Sequence, residues 1–349
     1  KVEPFGRSWP MTRFDLFAEQ ALYGSQGFYT QLGTAGTDGA DFITSPETST
    51  LFGACVAVYL DQVWHEMKCP NPFVVIEGGS GTGTLCRDIF LAVQDCTDAL
   101  RYVMVERSDR QREIGFSQVT TSCFADREEV PLAALKDLPA GPITGVVLAN
   151  ELLDNLPPRV VRKTATGWLE LHVENGVENW HPAPEPAENM ASAIAFNAPI
   201  GTTLPLHLKA AVWINRAMQL LDRGRILTFD YGVDSSELFN DRPLSEWLRT
   251  YKGHHRAGTP YSEPGTRDIT CDVAFDQLPG SPNISLQADW LTSKGIGMMT
   301  AWARDQWRAA AASPDSSAVA ARQVLDEAAA LTDRTGLGAF LVAEWQIGD

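Results

Sequence analysis

A series of short, wholly apolar runs, each closed by an acid or an amide, constrains this chain more than any other feature. They fall at 73–77, where Glu77 closes the run, at 102–105 before Glu106, at 146–149 before Asn150-Glu151, and at 226–229 before Asp230-Tyr231-Gly232. Runs that are apolar throughout, rather than alternating, belong to strands buried on both faces, the pattern of a parallel sheet. Helical spacing separates them, with Leu85, Ile89 and Val93 after the first run and a stretch over 207–222 before the fourth. This alternation predicts an α/β fold with a mostly parallel sheet. Near the end, Ser313-Pro314 reads as the cap of a helix carrying Val324, Leu325, Ala328 and Leu331, followed by a last strand over 339–345.

Residues 1–70 read as a helical lead-in with Phe14, Phe17, Ala18 and Leu22 on one face. Ser45-Pro46-Glu47 has the order of N-cap, first-position proline and first-turn acid, and opens a helix expected to reach about residue 66. The core is expected over 71–163, resuming at 207–232 and finishing at 301–349. Two stretches break the alternation, 164–206 and 233–300. Long segments of this kind are seldom idle, and these are expected to cap the strand ends where ligands of open α/β sheets bind.

Composition narrows the partners. At 349 residues the chain can hold one large domain with insertions, or two. Asp and Glu (44) outnumber Lys and Arg (28), and the net charge of −16 repels a phosphate backbone, which argues against nucleic acid. The longest apolar stretch, 51–60, is too short to cross a bilayer, so no membrane role is expected. Six irregularly spaced cysteines without C-x-x-C, and no H-E-x-x-H, signal neither a disulfide framework nor a metal site; a reducing, cytoplasmic setting is expected.

The chemistry concentrates in Val75-Ile76-Glu77-Gly78-Gly79-Ser80-Gly81-Thr82-Gly83. Glycines at alternate positions let the backbone approach a ligand, and the helix that follows offers unpaired N–H groups. The nicotinamide fingerprint G-x-G-x-x-G does not fit, because from Gly79 the third glycine falls one residue early. Glu106, closing the next run, stands where a carboxylate accepts hydrogen bonds from a ribose diol.

Further blocks follow in one order: Ala21-Leu22-Tyr23 with Gly27-Phe28-Tyr29, Asp41-Phe42-Ile43-Thr44-Ser45-Pro46-Glu47, Val105-Glu106-Arg107-Ser108, Asn150-Glu151-Leu152-Leu153-Asp154-Asn155-Leu156-Pro157, Pro264-Gly265-Thr266-Arg267-Asp268-Ile269-Thr270, Gln287 with Trp290-Leu291, and Leu337-Gly338-Ala339-Phe340. Together with the glycine turn they resemble the MidA-like family of class I S-adenosylmethionine methyltransferases, which includes the mitochondrial complex I assembly methyltransferase. Two departures stand out. The turn reads Gly78-Gly79-Ser80-Gly81-Thr82 where the family usually has Leu-Gly-Pro/Ala-Gly-Arg/Ser, and Leu152-Leu153 replaces an aromatic pair.

The resemblance implies a Rossmann-like seven-stranded sheet with an inserted cap, and S-adenosyl-L-methionine as cofactor. It implies that Gly79, Ser80 and Gly81 lie along the methionine part, that Glu77 orients that end, and that Glu106 holds the ribose. Asp126 then serves the adenine amino group, Asn150 adjoins the cofactor, and Thr44, Ser45, Pro46 and Glu47 close over it. Characterised members methylate an arginine of a respiratory-complex subunit. For such an acceptor, Glu151 and Asp154 would grip the guanidinium in bidentate hydrogen bonds, although the same acids are also suited to capping the following helix. Asp230 and Tyr231 are candidate lining of the acceptor pocket. As strand neighbours, His254 and His255 would face opposite sides and share no metal, and either is a candidate general base if the acceptor is a hydroxyl.

The leading expectation is therefore methyl transfer to a protein arginine. A small-molecule acceptor, and a cofactor-binding assembly chaperone without catalysis, stand as alternatives, and a homodimer is left open.

Overall fold

The computed structural model describes residues 10–31, 44–127, 129–252, 255–310 and 312–348. The block Asp41-Phe42-Ile43 and His254 lie outside these residues.

The apolar runs form the centre of the molecule. A seven-stranded sheet is built from β1 (Phe73–Gly78), β2 (Leu100–Val105), β3 (Leu132–Leu135), β4 (Ile143–Asn150), β5 (Leu221–Asp230), β6 (Asn283–Leu286) and β7 (Leu341–Ile347), in the order β6-β7-β5-β4-β1-β2-β3. Strands β3, β2, β1, β4 and β5 run parallel, while β7 pairs antiparallel with both β5 and β6. The strand order reverses between β1 and β4, and a crevice at their carboxyl ends is where an open α/β sheet binds its ligand. Close approach of the inner strands needs glycine. A Cβ on Gly145 would stand 1.8 Å from the Val74 carbonyl oxygen, and one on Gly224 1.8 Å from that of Gly145.

Helix Thr50–Glu66 covers one face of the sheet, burying Phe52, Val56, Tyr59, Leu60 and Val63 against it. Each large side chain withdrawn from water in this way contributes about 1.5–3 kcal/mol. On the other face, helix Leu208–Leu220 buries Ala210, Ile214 and Ala217 against Ile76, Val147 and Ile226.

Several local expectations shift. The N-cap at this point is Thr44 rather than Ser45; Ser45–Thr48 is a short helix of its own, ended by Ser49 in an extended conformation, and Ser49 caps Thr50–Glu66 by accepting from Leu51 N–H. The late helix Ser316–Thr332 is capped by Asp315, which accepts from Ala318 N–H at 2.8 Å, and not by Ser313-Pro314.

The lead-in also divides. Thr12–Arg13 pairs with Gly167–Glu174 and joins Arg159–Thr164, Val177–Pro182 and Thr203–Leu206 in a second, antiparallel sheet of five strands. Helix Phe14–Tyr23 packs on it, placing Phe14, Phe17 and Leu22 in a core with Val160, Trp168, Leu171 and Trp247. Within 233–300, Leu248–Lys252, His255–Arg256 and Asp268–Cys271 form a three-stranded sheet, whereas Asn283–Leu286 belongs to the central sheet rather than to a cap.

Candidate functional site

Outside the β1 and β4 ends lies a cavity of about 380 Å³, large enough for one nucleoside-sized ligand. Its floor is the glycine turn. Gly79 has φ +68° and Gly81 φ +51°, left-handed conformations that a side chain strongly disfavours. A Cβ on Gly81 would find nothing nearer than Gln111 Oε1 at 3.9 Å, so the turn is bare on that side. A Cβ on Gly79 would press on Leu152 at 3.1 Å, and one on Gly78 would stand 2.6 Å from the Trp213 ring. Leu152, from the departing block, and Trp213 therefore form the opposite wall.

Three acids rise around this floor. Glu106 is fixed at both oxygens, accepting from Gly81 N–H at 3.1 Å and from Ser108 N–H at 2.8 Å. Burial raises its carboxyl above the ordinary carboxylate range, against these two bonds. Glu77 accepts from the Tyr102 hydroxyl at 2.8 Å and is pushed up to about 8 by burial. Glu151 occupies a left-handed position at φ +49°, a strain that persists only where surrounding structure enforces it. Its Oε1 accepts from Ser45 N–H at 3.3 Å and Asn150 Nδ2 at 3.2 Å, and burial, then Asp154, pushes it up to about 8.

Ser80 Oγ and Asn150 Oδ1 are buried and, among the described residues, have no hydrogen-bond partner, although both residues line the cavity. Unpaired buried polar atoms are costly, and a polar ligand entering here would satisfy them. Thr44, Pro46 and Glu47 line the same space, with Thr44 N–H donating to Glu47 at 3.2 Å.

Other expected residues stand elsewhere. Asp126 follows helix Asp109–Phe124, not a strand; it is exposed and does not line the cavity. The acid beyond the third parallel strand is Asp137, which does line it. Ser45 is buried without reaching the cavity. Asp154, also outside the lining, accepts from the Tyr231 hydroxyl and is raised by burial. Asp230 is fully buried and accepts from the N–H groups of Leu153 (2.8 Å), Asp154 (3.3 Å) and Tyr231 (3.0 Å), so it shapes the turn after β4 instead of meeting a ligand. Tyr231 packs edge-on against Phe340 and under the Arg249 guanidinium, away from the lining. His255 is exposed on its strand and does not line the cavity.

Sequence reasoning missed the aromatic side of the pocket. Tyr23 and Tyr29 stack at 5.5 Å, and both donate to Asn155, to its carbonyl at 3.1 Å and its side chain at 3.0 Å. Both tyrosines lie in the quoted N-terminal blocks, so their positions were visible and their bonding partner was not.

A family model described as a putative S-adenosyl-L-methionine-dependent methyltransferase matches residues 55–292. The protein arginine methyltransferase NDUFAF7 homolog, mitochondrial, of Drosophila melanogaster is 27% identical over 284 residues, covering 71% of this chain and 61% of the relative. Its Rattus norvegicus counterpart, named protein arginine methyltransferase NDUFAF7, mitochondrial, is 27% identical over 296 residues, covering 77% and 65%. The chain thus spans less than two thirds of the length of these relatives. A COG1565 superfamily member from Burkholderia thailandensis, solved bound to S-adenosyl-homocysteine, superposes with a TM-score of 0.81 at 25% identity, over 97% of this chain and 88% of that one. The relatives are named as mitochondrial proteins, which overturns the cytoplasmic setting expected from the cysteine pattern.

Proposed function

This chain belongs to the family of S-adenosyl-L-methionine-dependent methyltransferases, and from that premise we propose that it transfers a methyl group from S-adenosyl-L-methionine to an arginine side chain of a protein. The observation that carries this reading is one cavity walled jointly by the Gly79-Ser80-Gly81 turn, Glu106 and Glu151. The names of the relatives support the acceptor, and the S-adenosyl-homocysteine in the Burkholderia structure supports the donor.

When bound, the cofactor supplies an electrophilic methyl on a sulfonium. The residues contribute position and electrostatics, the main requirements of an in-line displacement. Glu106, aimed by the Gly81 and Ser108 N–H groups, keeps lone pairs for the ribose hydroxyls. Gly81 would leave room for the ligand chain, Glu77 would face its amino-acid end, and Asp137 would take the adenine end, all three lining the cavity. Glu151, held by Ser45 and Asn150, would accept guanidinium N–H groups and so orient the acceptor nitrogen. That nitrogen sheds a proton on methylation; burial holds Glu151 towards its protonated form, pushed up to about 8, and a guanidinium beside it would favour the ionised carboxylate, the form able to take that proton.

Incubation with methyl-labelled S-adenosylmethionine and cell extract, followed by acid hydrolysis, tests the reading. Label on methylarginine supports it, and label confined to a released small molecule removes the protein-arginine acceptor.

A further inference from the structure

Ser45 and Gln287 lie 242 positions apart in sequence, yet meet in the interior beside the cavity. Ser45 Oγ is 3.0 Å from Gln287 Nε2 and 3.2 Å from Gln287 Oε1, and both residues are fully buried. Gln287 opens helix Gln287–Ser293 directly after edge strand β6. Its own N–H donates to the Phe340 carbonyl at 2.8 Å, and its Nε2 also reaches the Leu331 carbonyl at 3.3 Å. The Gln287 side-chain amide thus ties the short Ser45–Thr48 helix to the end of helix Ser316–Thr332, and its backbone N–H ties the same residue to the lead into β7. On the other side of Ser45, its N–H meets the Glu151 carboxylate.

We infer that Gln287 is a positioning residue which, through Ser45, sets the Glu151 carboxylate and the Thr44-Pro46-Glu47 wall of the cavity. Neither Gln287 nor Ser45 touches the cavity, so the effect passes through Ser45 N–H and the backbone on either side of it. A bond from that N–H favours the ionised carboxylate, opposing burial and the neighbouring Asp154. Loosening Ser45 therefore does two things. It frees the wall that closes the cavity, and it moves Glu151 further towards its protonated form.

The inference rests on reading the cavity as the methyl-donor site, and the experiment separates the two. Calorimetric titration of the wild-type protein with S-adenosylmethionine comes first; absence of binding removes the donor reading itself. Where binding is found, Gln287→Leu is expected to weaken it about tenfold at neutral pH, the loss of one buried hydrogen-bonding partner. The acid limb of the affinity-against-pH profile is expected to move to higher pH, because ionised Glu151 favours a cationic ligand. Ser45→Ala should reproduce both effects in part, and the double variant should be no worse than Gln287→Leu alone. Unchanged affinity, an affinity loss with an unmoved pH limb, or independent addition of the two substitutions would each overturn the relay. If Gln287→Leu shows no cooperative melting transition, Ser45→Ala decides alone: it keeps the backbone N–H, severs the Gln287 link, and must show both shifts.

Discussion

Glu106 closes the second core strand and takes the Gly81 N–H at 3.1 Å, so the acid and the barest residue of the glycine turn are fixed to one another before a ligand arrives. Hydrogen bonds to a charged group contribute about 1.5–3 kcal/mol. Glu106→Ala is therefore expected to weaken S-adenosyl-homocysteine binding roughly 10- to 100-fold by calorimetry. Unaltered affinity would detach the carboxylate from the ligand.

Two glycines separate binding from folding. Gly81→Ala forces a side chain to φ +51°, a strain of about 1–2 kcal/mol, but meets open space, so the protein should fold and bind its ligand poorly. Gly145→Ala would drive a Cβ into the Val74 carbonyl oxygen and should abolish the cooperative melt. Thermal denaturation beside ligand titration checks both; a well-folded Gly145→Ala variant would contradict the strand packing described here.

Asp137 and Asp126 form a matched pair of tests. Asp137→Asn is expected to reduce S-adenosyl-homocysteine affinity several-fold, and Asp126→Asn to leave it unchanged. Calorimetry giving the reverse order would restore the expectation drawn from sequence.

That expectation went astray for a physical reason. Strand β3 is short, and its Leu-Ala-Ala-Leu is only partly buried at the sheet edge, so it lacks the long apolar signature of β1, β4 and β5. With that strand unseen, the nearest acid after a helix took the place of the acid after a strand. Edge strand β6 escaped notice in the same way. The pairing of Thr12–Arg13 with Gly167–Glu174 depends on contacts some 160 positions apart, which local pattern does not encode. By contrast, the inner strands, the glycine turn and Glu106 were legible, because full burial demands continuous apolar runs and a left-handed turn demands glycine. The motif at 150–157 marked a strand end without revealing direction: Glu151 faces the cavity, while Asp154 turns inward to Tyr231.

Buried acids also set the pH dependence. Glu77 and Glu151 are pushed from an ordinary value of 4.5 up to about 8 in the folded protein, chiefly by burial. Between those limits the folded state holds protons that the unfolded state has released, so the contribution of these two groups to stability is fully present below 4.5 and is lost as pH rises through 8. Each group contributes at most about 1.4 kcal/mol per pH unit in that window. Thermal midpoints of the ligand-free protein should fall from pH 5 to pH 8, and Glu151→Gln should flatten the curve. An equally steep curve in that variant would contradict the assignment.

The most direct measurement is a crystal structure of this protein grown with S-adenosyl-homocysteine. The sugar hydroxyls are expected within hydrogen-bond distance of Glu106, with the ligand chain lying over Gly81 and its sulfur facing Glu151. A nucleoside seated away from the Gly79-Ser80-Gly81 turn, or a Glu106 carboxylate without contact to its sugar, would contradict the account.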